Sequence, residues 1–221
     1  MYFASRQQAG RMLAERLAKK YEGKDCAVVA MSDGGVMVGA QIAVKLQCVL
    51  TMLLVDEIML PREPVSIAGI SQDGTFSYNR TYAEGDIQEL ISEFRGVIEQ
   101  QKLEKLHHMH TQMGRSELIR RDLLRHKNVI LVSDGMADPF SLDLAMTYLK
   151  PIDMKKLVVV TPMATTDAID RIHVLADDII CLSVPENFMN VDHYYDTQDV
   201  PSHDVVIQSV AQVVKNWTKK R

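Results

Sequence analysis

The run VILVSDGMADPFS, Val129 to Ser141, is compatible with very few folds. Val129, Ile130, Leu131 and Val132 form an uninterrupted apolar stretch, suited to a strand covered on both faces of a parallel sheet. Ser133, Asp134 and Gly135 end it. Helical spacing resumes at Ser141 and continues through Leu142, Ala145, Met146 and Leu149, so the residues between form a strand-to-helix loop with Ser141 as the expected N-cap. In an open α/β sheet, ligands bind at such loops, beyond the carboxyl ends of the strands.

The same alternation runs through the rest of the chain. Ala9, Met12, Leu13, Leu17 and Tyr21 recur at steps of three and four, which predicts an amphipathic helix over residues 5–21. DCAVVAM, residues 25–31, reads as a buried strand, closed by Ser32, Asp33, Gly34 and Gly35. Val36, Ala40, Ile42, Ala43 and Leu46 carry a second helix, and residues 49–55 a second strand. Residues 56–64 read as a charged loop with two prolines. IAGIS and GTFSYN, within residues 65–79, predict a β-hairpin around Gln72, Asp73 and Gly74. Residues 86–125 are rich in helix formers and predict one or two helices, interrupted near Gly114. Strands at 128–132, 157–161 and 178–183 then alternate with helices at 141–149 and 166–175, before a last helix over 203–217. The expected fold is α/β: a central, mainly parallel sheet with right-handed crossovers, flanked by helices, with a small hairpin excursion. With 221 residues and 47% hydrophobic content, residues 1–221 are expected to form a single domain.

Composition narrows the function. Lysine and arginine number 25 against 29 aspartates and glutamates, a formal charge of −4, so nucleic acid is not an expected partner. No apolar run approaches the ~20 residues of a membrane span, and the N-terminus lacks a charged region followed by an apolar core. Cys26, Cys48 and Cys181 are odd in number and scattered through apolar contexts. They read as buried thiols of a reducing compartment, and a cytoplasmic protein without membrane association is expected.

Most of the chain resembles the type I phosphoribosyltransferases, in particular a group of phosphoribosyltransferase-like proteins of similar length. The early helix with Arg6, Ala9, Gly10 and Leu17 looks like that group's opening helix, and VVAMSDGGVMVGAQIA like its strand, Gly-Gly turn and helix. VDEIMLPREP is similar to a basic, proline-containing loop there, and SIAGISQDGTFSYN to the Gly-rich hairpin that follows. VVVTPMA, DDIICLSVPENF and NVDHYYD resemble the closing strands and loops. VILVSDGMADPFS falls on the motif for phosphoribosyl diphosphate (PRPP).

The resemblance implies a ligand site at Ser133, Asp134, Gly135, Met136, Ala137, Asp138, Pro139, Phe140 and Ser141, joined by the turn Ser32, Asp33, Gly34 and Gly35. In the family two adjacent acids hold the ribose hydroxyls, directly or through Mg²⁺, and backbone N–H groups with hydroxyls hold the 5′-phosphate. Asp134 keeps the second acid and would be the catalytic participant and Mg²⁺ ligand of an active enzyme. Ser133 replaces the first. Asp138 and Pro139 stand where the family has Thr and Gly, and Phe140 replaces a small residue. A carboxylate beside a phosphate repels it, Pro139 has no N–H to donate, and Phe140 crowds a tight cradle. Asp33 stands where the family commonly has Arg, and Glu57 where it commonly has Lys. Like charges about 4 Å apart repel by roughly 4 kcal/mol at an effective dielectric near ~20, against about 1.4 kcal/mol for each factor of ten in affinity.

Other constellations have plainer readings beside the chemical ones. His107, His108 and His110 suggest a metal site or a solvated helix face. Asp33, Asp134 and Asp138 would make an oxygen-ligand cation site if their turns converge, although turn aspartates often cap helices. His193, Tyr194 and Tyr195 either cover a substrate or pack on the body of the domain. Met31, Met37, Met52 and Met163 read as core filler, and KNWTKKR as the end of a solvated helix. The favoured reading is a phosphoribosyltransferase-family protein with a degenerate PRPP site, non-catalytic or repurposed to bind another small molecule or a partner. Two alternatives stay open: an active PRPP-dependent glycosyltransferase with an atypical site, and a metal-binding enzyme of another class. An exposed apolar helix face would suit a homodimer.

Overall fold

The computed structural model describes residues 1–61, 63, 65–113 and 118–219, with the side chains of residues 218 and 219 excepted. The chain divides into two compact units. The first comprises Met1–Leu53, Ser116–Pro139 and Ile152–Arg221, and the second Leu54–Arg115 and Phe140–Pro151.

The first unit is built on a five-stranded parallel sheet: β1 (Cys26–Ala30), β2 (Val49–Met52), β6 (Asn128–Val132), β7 (Lys156–Met163) and β8 (Asp178–Ser183), in the order β2-β1-β6-β7-β8. Every residue of β1 and β6 is buried, as expected of central strands covered on both faces. Helix α1 (Arg6–Tyr21) starts at the N-cap Ser5, whose Oγ accepts from the N–H of Gln8. It packs on α2 (Asp33–Leu46) at Gly10, where a Cβ would fall 2.6 Å from Val38 O, and it buries Ala9, Leu13 and Leu17. α5 (Thr166–Leu175) lies between β7 and β8 in sequence, and α6 (His203–Lys219) buries Val206, Ile207, Val210 and Val214. The periodic patterns placed all of these elements correctly to within a few residues.

Two readings of the turns need correction. Asp33, Gly34 and Gly35 are not a turn ahead of a helix but the first turn of α2 itself. Ser32 is its N-cap, with φ −153° and ψ 167°. Ser141 is not the N-cap of α4, because that helix already begins at Phe140 (Phe140–Leu149).

The second unit holds an antiparallel sheet in the order β3 (Val55–Ile58), β4 (Ala68–Ser71), β5 (Phe76–Tyr78). The predicted hairpin is β4–β5. The predicted loop from residue 56 instead begins as strand β3, because Ile58 buries its side chain against Ile67 and Ala68 and its backbone pairs with Ala68. The prolines of that segment are Pro61 and Pro64, and Pro64 lies outside the described residues. Gly69 faces α4, where a Cβ would fall 2.2 Å from Leu144 Cδ1. A larger residue there would force the Leu144 side chain to move. α3 (Glu84–Met113) is broken at Phe94, with φ −110° and ψ 20°, and packs Ile87, Leu90, Ile91, Phe94 and Val97 on the cluster of Ile58, Leu60, Ile67, Ala68 and Ile98. Gly114, the predicted interruption, lies outside the described residues.

The remaining expectations resolve simply. His107, His108 and His110 sit on an exposed stretch of α3. Met52 and Met163 are core residues, whereas Met31 and Met37 are half-buried. No helix among the described residues is long and apolar enough to cross a membrane.

Candidate functional site

The pairing of β1 with β6, Ala30 opposite Val132, places the loop after each strand beside the other, and Met31 N–H reaches Val132 O at 3.0 Å. The segments Ser32, Asp33, Gly34 and Ser133, Asp134, Gly135 are therefore spatial neighbours within the first unit. Ser32 joins them: its Oγ accepts from Gly35 N–H at 2.9 Å as an N-cap and donates to Asp134 Oδ1 at 2.7 Å.

The other oxygen of Asp134 is also engaged. Arg6 Nε donates to Asp134 Oδ2 at 2.8 Å, and the two side chains are only 4% and 11% exposed. Arg6 opens α1 with its side chain on the same buried face as Ala9 and Leu13. Its remaining nitrogens face Asp192 and Asp199: Nη2 bonds to Asp192 Oδ1, and Nη1 lies 3.8 Å from Asp199 Oδ1. The guanidinium stacks over Tyr195, 4.4 Å from the ring centroid, and the Tyr195 hydroxyl donates to the backbone oxygen of Asp134 at 2.5 Å. Burial by itself would lower the Arg6 pKa, but Asp134 and Asp192 outweigh it and hold the guanidinium charged, above its ordinary value. Burial first, and Asp134 second, raises the Tyr195 hydroxyl well above the usual phenol range. Tyr195 is thus packed into the body of the unit and not held out as a cover.

Gly34 shows how tight the arrangement is. A Cβ there would lie 1.9 Å from Asp134 Oδ2 and 2.6 Å from Arg6 Nε. Asp33, one residue earlier, pairs with His203 at the start of α6, whose Nδ1 lies 2.8 Å from both carboxylate oxygens. A carboxylate only accepts, so the Nδ1 of His203 carries a proton.

Part of the predicted phosphate loop is engaged in hydrogen bonds within the first unit. Gly135 N–H donates to Ser133 Oγ, and Ser133 Oγ donates to Gly135 O. Met136 is buried, and its N–H donates to Met163 O in a short bridge that continues the β6–β7 pairing. Ala137 is exposed, and its carbonyl accepts from Thr165 Oγ1 at 3.1 Å. Asp138 and Pro139 are half-buried and close the first unit, while Phe140 and Ser141 open α4 in the second. Glu57 lies in β3 of the second unit.

The Mg²⁺ expected of an active family member does not fit Asp134 as it is held. A metal ion would need an oxygen of Asp134, and both are already hydrogen-bonded inside the protein, Oδ1 to Ser32 and Oδ2 to Arg6. Among the described residues, no group of three or more His, Cys, Asp and Glu side chains could hold a metal ion, at these aspartates or at the histidines of α3.

Two curated proteins of Mycobacterium tuberculosis, from strains CDC 1551 / Oshkosh and ATCC 25618 / H37Rv, each carry the name "Putative phosphoribosyl transferase". Each is 29% identical to this chain over 210 residues, covering 93% of it and 45% of the relative. The similarity runs through nearly the whole of this chain. The chain spans about half the length of the curated relatives it matches. No protein-family model matches. The crystal structure of TT1426 from Thermus thermophilus has the same fold, with a TM-score of 0.73 at 24% identity, covering 96% of this chain and 98% of that one. That similarity shows the fold: a parallel sheet flanked by helices in the first unit and a three-stranded antiparallel sheet in the second.

Sequence reasoning quoted Arg6 only as part of the opening helix and did not select His203. A signal existed for Arg6: it falls three and seven residues before Ala9 and Leu13, on the apolar stripe, where a charge needs a partner. For His203 no local signal exists, since its partner is 170 residues away.

Proposed function

We propose that this phosphoribosyltransferase-like chain has given up PRPP chemistry, and that its site is non-catalytic or repurposed to bind another small molecule or a partner. One observation carries the reading. Both carboxylate oxygens of Asp134, the one acid kept from the PRPP motif, are committed inside the protein to Arg6 and Ser32. A ribose diol would have to displace a buried ion pair to reach them. Two features of the loop agree with it: the Met136 N–H is spent on Met163 O, and Pro139 offers none. Asp33 agrees as well, because its carboxylate serves as the anchor for His203 where the resembling family commonly presents a cation to pyrophosphate. A reducing, cytoplasmic setting belongs to the same proposal and is supported by three free thiols.

Calorimetric titration of the protein with PRPP and Mg²⁺ tests the reading. The expected result is no binding in the micromolar range. A micromolar dissociation constant overturns it, and release of pyrophosphate with any purine or pyrimidine base would restore the transferase.

A further inference from the structure

Cys26 and Cys48 lie away from the site, where β1 begins and the chain enters β2. The register Ala27 opposite Val49 puts Cys48, one residue ahead of β2, beside Cys26. Parallel register partners carry their side chains on one sheet face, and neighbouring strands run about 4.8 Å apart. That spacing lies inside the roughly 4.4–6.8 Å range of Cα separations a disulfide spans. Both cysteines are buried, at 2% and 8% exposure. Burial first, and the nearby Cys26 second, pushes the Cys48 thiol up to about 12, so the two side chains lie close enough to influence each other. The buried ammonium of Lys127, paired with Asp25 at 2.9 Å, counteracts part of that rise at both thiols. Beside them opens a cavity of about 500 Å³, lined in part by Lys24 and Asp25, which precede Cys26, and by Leu46 and Gln47, which precede Cys48.

We propose that Cys26 and Cys48 form a modification site, a dithiol that hydrogen peroxide converts into an intrachain disulfide tying the start of β1 to the entry of β2. In the first step the sulfur of one cysteine attacks peroxide. An S–O bond forms, the O–O bond breaks, and the thiol proton leaves with the released hydroxide as water. In the second step the other sulfur attacks the sulfenic sulfur: the S–S bond forms, the S–O bond breaks, and a second water leaves. Two thiols lose two electrons and one peroxide is reduced to two waters. Burial keeps the thiols mostly protonated and the reaction slow, which matches a site that responds to sustained oxidant and stays open in a reducing compartment.

The test uses the whole protein. After peroxide treatment, denaturation and alkylation with iodoacetamide, trypsin cleaves after Lys45 and leaves the two cysteines in separate peptides, residues 25–45 and 46–62. The expected product is a linked pair of these peptides, with the intact protein lighter by two hydrogen atoms and restored by a thiol reductant. Cys26→Ser and Cys48→Ser should each abolish the linked species. Full alkylation of both cysteines under conditions that oxidise the half-buried Cys181 overturns the proposal, as does sulfinic acid at either position without a linked peptide. The wild-type peptide map decides the matter even where a serine variant folds poorly.

Discussion

Arg6 and Asp134 stand 128 residues apart in the chain and meet through a 2.8 Å hydrogen-bonded ion pair that solvent barely reaches. The contact joins the opening helix to the loop after β6, and Asp192, Asp199 and Tyr195 close around the same guanidinium. Loss of one partner strands the other. Arg6→Met should cost about 3–5 kcal/mol in urea denaturation, because it leaves a buried carboxylate without its cation. Arg6→Met combined with Asp134→Leu should recover part of that loss, since removing both charges removes the stranded one. A double variant no more stable than the single would show that the pair does not act as a unit.

Asp33 and His203 should couple more modestly. Their side chains are 25% and 31% exposed, so a double-mutant cycle with Asp33→Asn and His203→Gln should give on the order of 1 kcal/mol or less. Asp33→Arg, which installs the residue the resembling family commonly has, should cost more than Asp33→Asn because it sets a cation against His203. Equal stability of the two variants in thermal melts would contradict this.

Acid stability should depend on Asp178. Burial works to raise its pKa, but Lys20 Nζ at 2.5 Å and the Tyr21 hydroxyl at 2.7 Å outweigh burial and hold it below the usual carboxylate range. A carboxyl depressed in the folded state contributes stability that is present above its unfolded value, near ~3.9, and lost as pH falls through the folded value. Lys20→Met removes one cause of the depression. Its acid-unfolding midpoint, followed by circular dichroism, should move to higher pH, while at pH 7 the loss should be small because Lys20 is 54% exposed.

The elements were legible because each is a local pattern. Val129–Val132 could only be a covered strand, and Ala9, Leu13 and Leu17 could only share a helix face. Residues 56–58 were misread because charge at Asp56 and Glu57 hid the pairing of Ile58 with Ala68, a contact that rests on a distant strand. The break at Phe94 was missed for a similar reason: no Pro marks it, and the packing of that side chain on the Ile58–Ile67 cluster comes from outside the helix.

The site was legible in one respect and opaque in another. The sequence alone placed Asp134 after a central strand and determined the α/β order, because periodicity and turn chemistry are encoded within a few neighbouring residues. Whether Asp134 is free to meet a ligand was not encoded locally. Only the tertiary structure decided that, by bringing Ser32 and Arg6 to its two oxygens and Tyr195 to its carbonyl. A carboxylate looks the same in a sequence whether it faces solvent or a guanidinium. The difference is made by which distant side chains the packed sheet and helices bring within hydrogen-bonding distance.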